Sequence, residues 1–247
     1  MIKFFRKIRQ NLLSEGKTGK YFKYAIGEIL LVVIGILIAL QISNWNETKK
    51  ERVFEIKMLN EIENALKIDI EHFHRLENRL YKLDSASNVF IKLVHEKAVF
   101  NDSLYDKGRS RWYYLRTGIN LQFNNGPYEA LKSSGIDKVS NDSLRNNLVN
   151  FYDFEFPMLI AFINYYDEGY VEDVANLYSF LKKPYTELRN GKIEVYSKFP
   201  EDLFFRAEFL NLLTEIKSRA TNTKGSVKRS IVLMEKLKAQ VSAEINK

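Results

Sequence analysis

The sequence contains no cysteine, which excludes disulfides, cysteine zinc sites and thiol nucleophiles. Histidine is also scarce, with three residues in 247. On a helix, His72 and His74 would point about 200° apart, so a single metal ion could not bind both. His95 lies elsewhere in the chain. We therefore expect neither a metal centre nor another cofactor.

The motifs of common enzyme classes are also missing. The chain has no Gly-x-Ser-x-Gly, no phosphate-binding glycine loop, no His-Glu-x-x-His and no dinucleotide fingerprint. Because cysteine is absent and the histidines are scattered, few pairs of nucleophile and base are available. The sequence therefore favours a protein that is not an enzyme.

Charge is distributed unevenly along the chain. Residues 1–23 and 217–247 each carry a net charge of +6, whereas the whole chain carries +7, so the middle is acidic. The first basic cluster directly precedes an apolar run. A lipid bilayer with its headgroups is therefore a better expected partner than nucleic acid.

One stretch is apolar for long enough to cross a bilayer. Ile29–Leu40 is entirely apolar or glycine, and its neighbours extend the run toward the ~20 residues that a membrane helix needs. Tyr24 and Trp45 flank the run, as interface anchors do. A buried soluble helix would not explain these flanks, and Ala39–Gln41 is a poor signal-peptidase site. We predict an uncleaved transmembrane helix at 24–43.

The basic residues around this helix predict its orientation. Seven lysines and arginines precede the run, whereas residues 43–62 hold four, balanced by four glutamates. By the positive-inside rule, 1–23 is a cytoplasmic arm and 44–247 an extracytoplasmic domain. No second apolar run of about 20 residues follows, so we expect the carboxyl end to stay outside. In a Gram-negative bacterium this predicts an inner-membrane protein with a periplasmic domain.

Two features inside the predicted span indicate contacts with another helix. Gly27, Gly35 and Ala39 share one helix face, where small residues let two helices approach closely. Glu28 lies about one turn inside the cytoplasmic boundary. It either pairs with lysine at the headgroups or contacts a partner helix, and both interpretations remain open.

The residues in and beside the span resemble a known family. Met1–Arg9, Tyr24–Ile29 and Gln41–Asn46, together with Tyr128–Gly135, are similar to a large set of small membrane proteins from flavobacteria and related Bacteroidota. That family is described as a domain of unknown function. The resemblance implies the host group and the single-span anchor, but no activity, cofactor or catalytic residue.

The remainder of the chain predicts an all-α fold. A long helix at about 46–94 continues the membrane helix and carries a heptad stripe. The members of this heptad stripe are Leu59, Ile62, Leu66, Asp69, Phe73, Leu76, Leu80, Leu83, Ser87, Phe90 and Val94. The stripe either forms a coiled coil between chains or, as we favour, packs against later helices in an extracytoplasmic helical bundle.

Shorter helices are expected after the long one. Their predicted ranges are 127–135, 142–167 with a kink at Pro157, 170–181, 201–221 and 226–245, with a short extended piece at 192–198. Gly and Pro residues separate these ranges and set most of the boundaries.

An acidic band interleaved with tyrosines is the main candidate ligand site. The band consists of Asp153, Glu155, Asp167, Glu168, Glu172 and Asp173. Its candidate ligands are Asp153, Glu155, Glu168 and Glu172, and the last two share a helix face at i,i+4 spacing. Such carboxylates can hold Ca²⁺ or a cationic ligand, or perform acid–base catalysis. The alternative is a solvated helix face with tyrosine rings at its edge.

Three Asp-Ser pairs resemble the short acceptor motif for O-linked glycans on exported Bacteroidota proteins. Their serines are Ser85, Ser103 and Ser143. For Ser103 and Ser143, capping of a helix by the same residues explains the pair equally well.

Three functions follow from these patterns. The favoured one is a membrane-anchored periplasmic interaction or scaffold protein that binds a second copy or another inner-membrane protein. The alternative is a periplasmic ligand sensor that signals through a separate membrane partner. A membrane-anchored hydrolase that uses the carboxylates of 153–173 is the third.

Overall fold

The computed structural model describes residues 18–180, 185–196 and 199–247. It divides the chain into two compact units, Met1–Glu55 and Ile56–Lys247. The protein is 84% helical, which confirms the predicted all-α class. Most of the basic arm, residues 1–17, lies outside the described residues.

The first helix, α1, covers Thr18–His95. It contains both the apolar run and the heptad stripe, so the prediction of one continuous helix is confirmed. Except for Val94, every member of the heptad stripe is buried. This burial occurs within one chain and therefore favours packing against later helices over a coiled coil between chains.

The later elements are short up to residue 149 and long at the carboxyl end. They are α2 (Asp102–Lys107), α3 (Arg109–Arg116), α4 (Gly126–Gly135), α5 (Asp142–Val149), α6 (Phe156–Ser179), β1 (Tyr185–Arg189), β2 (Lys192–Tyr196) and α7 (Ala207–Ile245).

Side-chain caps explain where the short helices begin. The Asn101 side chain accepts a hydrogen bond from the Leu104 N–H at 2.9 Å, and Asn141 accepts one from Leu144 at 3.1 Å. Each cap satisfies a backbone donor that the first helical turn leaves free. The predicted end of α4 at Gly135 is confirmed, since this residue has a φ of 107° that favours glycine.

A π-helical turn lies where an irregularity was predicted at Pro157. Asn150–Glu155 forms this turn, and the Phe156 N–H donates to the carbonyl of Phe151, five residues back. Proline has no N–H for the carbonyl four residues before it, and its ring crowds the preceding turn. The wider turn accommodates both effects and rotates the following helix residues relative to α5.

The expectation of two carboxyl-terminal helices is wrong. Ala207–Ile245 forms one helix, with Gly225 in its interior, and residues 201–206 form turns instead of a helical start. Glycine costs a helix about 1 kcal/mol relative to alanine. Buried side chains on both sides of it, such as Ala220 and Val227, offset this cost through packing.

A β-hairpin accounts for the predicted extended piece. Strand β2 confirms that piece over Lys192–Tyr196, whereas its partner β1 was not predicted, and residues 197–198 lie outside the described residues. Asn190 and Gly191 connect the strands with φ values of 49° and 73°. Two successive residues with positive φ are typical of the tight hairpin turn that Asn-Gly favours.

An aromatic cluster forms one end of the core of the Ile56–Lys247 unit. Trp112 of α3 is fully buried, and its ring centroid lies 4.2 Å from that of Phe90 and 4.5 Å from that of Phe199. Phe100 and Phe209 surround the same indole. These contacts join α1, α3 and the segment before α7, and aromatic pairs of this kind stabilise a core beyond their area alone.

Polar side chains of α1 hold the irregular segment 117–125. Arg79 donates to the carbonyl of Gly118 at 3.1 Å, and the Asp69 carboxylate accepts from the Asn124 N–H at 3.0 Å. The backbone groups of a segment without regular structure have no ladder or helix partners, and these side chains supply hydrogen bonds to two of them. Asp69 thus interrupts the heptad stripe because it serves the segment 117–125.

Helix α6 holds the same segment from another side. The Tyr170 hydroxyl donates to the Thr117 carbonyl at 3.2 Å, and the Asp167 carboxylate accepts from the Ile119 N–H. The segment 117–125 is therefore fixed to both helices, and it supports the packing of α6 near the middle of α1.

An ion cluster joins α1 to α7. The Asp84 carboxylate lies 2.7 Å from the Lys217 ammonium and 3.3 Å from that of Lys224. Burial alone would raise the pKa of Asp84, but the two lysines outweigh it and hold that pKa below the usual value. At Asp69, burial dominates and raises the pKa despite the Asn124 N–H and His72.

These opposite shifts predict opposite pH dependences for two matched substitutions. The raised pKa of Asp69 means that its protonated form is favoured in the folded state, and this stabilisation is lost as pH rises above about 4. The lowered pKa of Asp84 stabilises the fold above about pH 4 and is lost as pH falls further. The stability advantage of wild type over Asp69→Asn should thus decrease with rising pH, and that over Asp84→Asn should increase.

Urea unfolding in detergent, followed by Trp112 fluorescence in a Trp45→Phe background, measures both differences. Parallel pH profiles for the two variants would contradict this assignment of the carboxylates.

Candidate functional site

The apolar run forms an uncovered surface on α1 in the Met1–Glu55 unit. Its large apolar side chains, from Ile26 to Ile42, are exposed, with fractions from 44% at Val33 to 63% at Ile29. Of the helices that the structure describes, α1 is the one long and apolar enough to cross a membrane, by length and composition. Exposure of such a surface to water costs about 25 cal/mol per Å², so an apolar environment is required.

The small residues of the run leave open space on the helix surface. No heavy atom lies within 4 Å of the position that a Cβ would occupy at Gly27 or Gly35. Ala39 is exposed, and Glu28 is partly exposed. A second helix can approach this face closely, which is the geometry that small residues permit in membranes.

Trp45 lies just beyond the run with a 67% exposed side chain. The Lys49 ammonium is 5.7 Å from its ring centroid, a cation–π distance. An indole beside a cation suits the headgroup region, where the ring is apolar and its surroundings are wet. The side chain of Tyr24, the other predicted anchor, lies outside the described residues.

The four predicted acidic residues lie in different surroundings. Asp153 accepts from the Tyr128 hydroxyl at 3.0 Å and from the Lys132 ammonium at 2.8 Å. Glu155 borders a small groove of about 100 Å³ beside α7, whereas Glu168 and Glu172 are exposed on α6.

The spacing along α6 prevents these four carboxylates from sharing one ion. At about 1.5 Å per residue, Glu168 lies roughly 20 Å along the helix from Asp153. Within the described residues, no three Asp, Glu or His side chains converge in a geometry that could hold a metal.

Asp173 of the acidic band is the most buried carboxylate of this region, and its partner on α7 was not predicted from the sequence. Asp173 is 5% exposed and bonds the Arg219 Nε of α7 at 2.7 Å. Burial raises the pKa of Asp173, and Arg219 opposes this shift. A Cβ at Gly169 would overlap the Arg219 guanidinium, so glycine makes room for the pair. A glycine inside a long helix was the one available signal for this close approach.

An open cleft lies between the end of α6 and the start of α7. This α6–α7 cleft has a volume of about 700 Å³, within the range of small-molecule sites. Seven of its nine lining residues are of polar or charged type, and the lining comprises Asp173, Asn176, Ser179, Phe180, Arg206, Glu208, Asn211, Leu212 and Glu215. The positive charge of Arg206 is paired with Asp202 at 3.0 Å. The carboxylates of the lining therefore dominate the charge of the cleft. Of the acidic band, Asp173 lines this cleft, whereas Asp153, Glu155, Glu168 and Glu172 do not.

The two neighbouring histidines have separate surroundings. His72 Nε2 lies 2.8 Å from the carbonyl oxygen of Asn120, and His74 lies 3.6 Å from Glu77 and 3.9 Å from Glu235. His72 therefore contributes to holding the segment 117–125, while His74 belongs to a surface ion cluster.

The three serines of the Asp-Ser pairs are all exposed. Ser103 and Ser143 lie in the first turns of α2 and α5, which Asn101 and Asn141 cap. Ser85 follows Asp84 on α1.

Comparison with known proteins gives one match. Residues 28–216 match the model of a family of unknown function, DUF6090. No curated protein and no solved structure matches the chain. The match begins inside the apolar run and includes α6, so it covers well over half of the chain.

The contact between Gly169 and Arg219 predicts opposite effects for two glycine substitutions. Gly169→Ala should lower the free energy of unfolding by about 1–2 kcal/mol, because loss of a charge-assisted hydrogen bond outweighs the gain in helix propensity. Gly225→Ala should raise the free energy of unfolding by up to about 1 kcal/mol. Gly225 also lies inside a long helix, but its added Cβ would meet open space, so only the gain in helix propensity remains. Urea unfolding in detergent compares the two variants. Equal stabilisation by both would show that Arg219 does not depend on Gly169.

Proposed function

We propose that this chain, which belongs to the family of unknown function DUF6090, is a single-pass membrane protein whose helical domain is an interaction scaffold. The observation that carries the proposal is the exposed apolar surface of α1. From Ile29 to Leu40 that surface is apolar on every side of the helix. A helix packed on a protein core needs one apolar face, whereas a helix surrounded by lipid needs apolar side chains on every face.

The charges around the helix support one orientation. Basic residues precede the span, and the later flank balances lysines and arginines with glutamates. We infer that residues 1–23 lie in the cytoplasm and residues 44–247 in the periplasm of a bacterium of the Bacteroidota type.

The scaffold role rests on the surfaces that the protein presents. Gly27, Gly35 and Ala39 offer an open helix face inside the membrane for a second copy or another inner-membrane protein. Outside the membrane, α6 and α7 present long exposed faces. Lipid and protein are thus the proposed partners, and nucleic acid is not.

Two lysines in the span should abolish membrane retention. Ile34→Lys with Leu37→Lys introduces two charges near the bilayer centre, each at a cost of about 3 kcal/mol on insertion scales. The variant should be extracted from membranes by alkaline carbonate, whereas wild type should need detergent. Val53→Lys is the matched control, because Val53 is 65% exposed on the same helix but beyond the span.

Cysteine labelling tests the orientation in the same experiment, because the natural chain has no background thiol. In intact spheroplasts, a membrane-impermeant maleimide should label Asn222→Cys and leave Ser14→Cys unlabelled. The reverse pattern would overturn the orientation, and carbonate extraction of wild type would overturn the anchor.

Ligand sensing is the second candidate, and the α6–α7 cleft is the observation that favours it. Asp173, Glu208 and Glu215 make its lining acidic, so a small polyamine such as spermidine is a suitable probe. Thermal unfolding of the full chain in detergent should shift upward with spermidine by several degrees. The shift should be lost in Glu208→Gln/Glu215→Gln and kept in Glu168→Gln/Glu172→Gln, which changes exposed carboxylates outside the cleft lining. An equal shift in both variants would reduce the effect to general charge screening.

A further inference from the structure

Helix α6 and the π-helical turn before it carry a row of exposed apolar side chains that ends in two carboxylates. Its apolar members are Phe154, Met158, Phe162 and Tyr165, with exposed fractions of 66%, 59%, 43% and 68%. Glu168 and Glu172 continue the row and are exposed as well. These six residues, the α6 row, follow the three- and four-residue steps of one helix face.

Helix α7 carries an exposed row of the opposite character. Its members are Gly225, Arg229, Val232, Lys236, Ala239 and Ala243. Small residues occupy both ends of this α7 row, and two basic residues lie between them. No heavy atom lies within 4 Å of a Cβ position at Gly225, so the surface there is open.

The two rows are complementary when the helices run antiparallel. Both cover the same number of residues, from 154 to 172 and from 225 to 243. In one register, Phe154 and Met158 face Ala243 and Ala239, so that bulky side chains meet small ones. The same register places Tyr165 on Val232 and Glu168 beside Arg229, which forms one pair of opposite charges, and it places Glu172 beside Gly225.

Within one chain the two rows point away from the shared core. Helix α6 buries Leu159, Ile163 and Tyr170, and α7 buries Val227 and Met234, on the faces opposite to these rows. Each row is therefore available to another molecule. Since one chain carries both complementary rows, the molecule that fits each of them is a second copy.

We propose that the α6 row of one copy docks antiparallel on the α7 row of a second copy. The inference specifies a partner for the proposed scaffold role and rests on it. A large side chain has about 150–250 Å² of surface when it is fully exposed. The four apolar members of the α6 row are 43% to 68% exposed, so together they offer roughly 400–500 Å². A standard interface needs about 800 Å² per partner, which the two rows of each chain supply together in a reciprocal pair. Confinement of both copies to one membrane raises their effective concentration.

Disulfide trapping between differently tagged copies tests this register. One copy of the full chain carries Tyr165→Cys and the other Val232→Cys, and the two are co-expressed, solubilised in detergent and mildly oxidised. A disulfide-linked pair that contains both tags is expected. Val171→Cys replaces Tyr165→Cys in the control, because Val171 is 62% exposed on another face of α6. Equal trapping in the control, or no trapping with Tyr165→Cys, would overturn the proposal.

A charge exchange tests the same contact independently of the new thiols' reactivity. Glu168→Arg or Arg229→Glu alone, in both copies, should reduce the trapped fraction roughly fivefold, because like charges then face each other. The double variant Glu168→Arg/Arg229→Glu should restore it, while far-ultraviolet circular dichroism stays unchanged in all three. Loss without rescue, or no loss at all, would count against this register. Because trapping is measured in detergent and anchoring by carbonate extraction, failure of one is distinguishable from failure of the other.

Discussion

Burial of the heptad stripe of α1 is the interaction on which the packing of α3, α6 and α7 in the Ile56–Lys247 unit depends. Phe90 at its end contacts Trp112 of α3, and Phe73 in its middle contacts Phe156 of α6. Beside the stripe, Asp84 binds two lysines of α7. Most of a helix's stability in a protein comes from packing of its apolar face rather than from propensity. Loss of the α1 surface would therefore remove a packing partner of α3, α6 and α7.

The sequence predicts those parts of the fold that depend on local chemistry. The heptad stripe and the glycine end of α4 both arise from neighbours in sequence, and each is found where it was expected. Gly225 does not end a helix, because the free-energy cost of glycine in a helix is small and the packing of α7 outweighs it. The irregularity predicted at Pro157 is present, because packing cannot compensate for the missing N–H of proline. Strand β1 was missed because its partner strand and the turn had to be recognised together.

The candidate sites show the same division between local and long-range information. The apolar run could be recognised from its composition alone. In the structure, no other described part of the chain covers it. The acidic band behaves differently, because its members resemble one another in sequence and differ in environment. Asp153 is bound by Lys132, Asp173 is buried against Arg219, and Glu168 is exposed. Only the positions of α4 and α7 in space separate these roles, and spacing along α6 cannot provide them.

Two exposed apolar surfaces of this chain have different chemistry, and the difference indicates different partners. The run from Ile29 to Leu40 has no charged side chain and is apolar around the whole helix, which suits hydrocarbon. The α6 row is apolar along one face and continues into Glu168 and Glu172. Carboxylates on a lipid-facing row would lose their hydration without a compensating contact, whereas beside an arginine of another protein they gain one. The carboxylates that disfavour lipid as a partner of the α6 row therefore favour a basic helix instead. The α7 row of a second copy has basic residues for the carboxylates and small side chains for the bulky apolar ones.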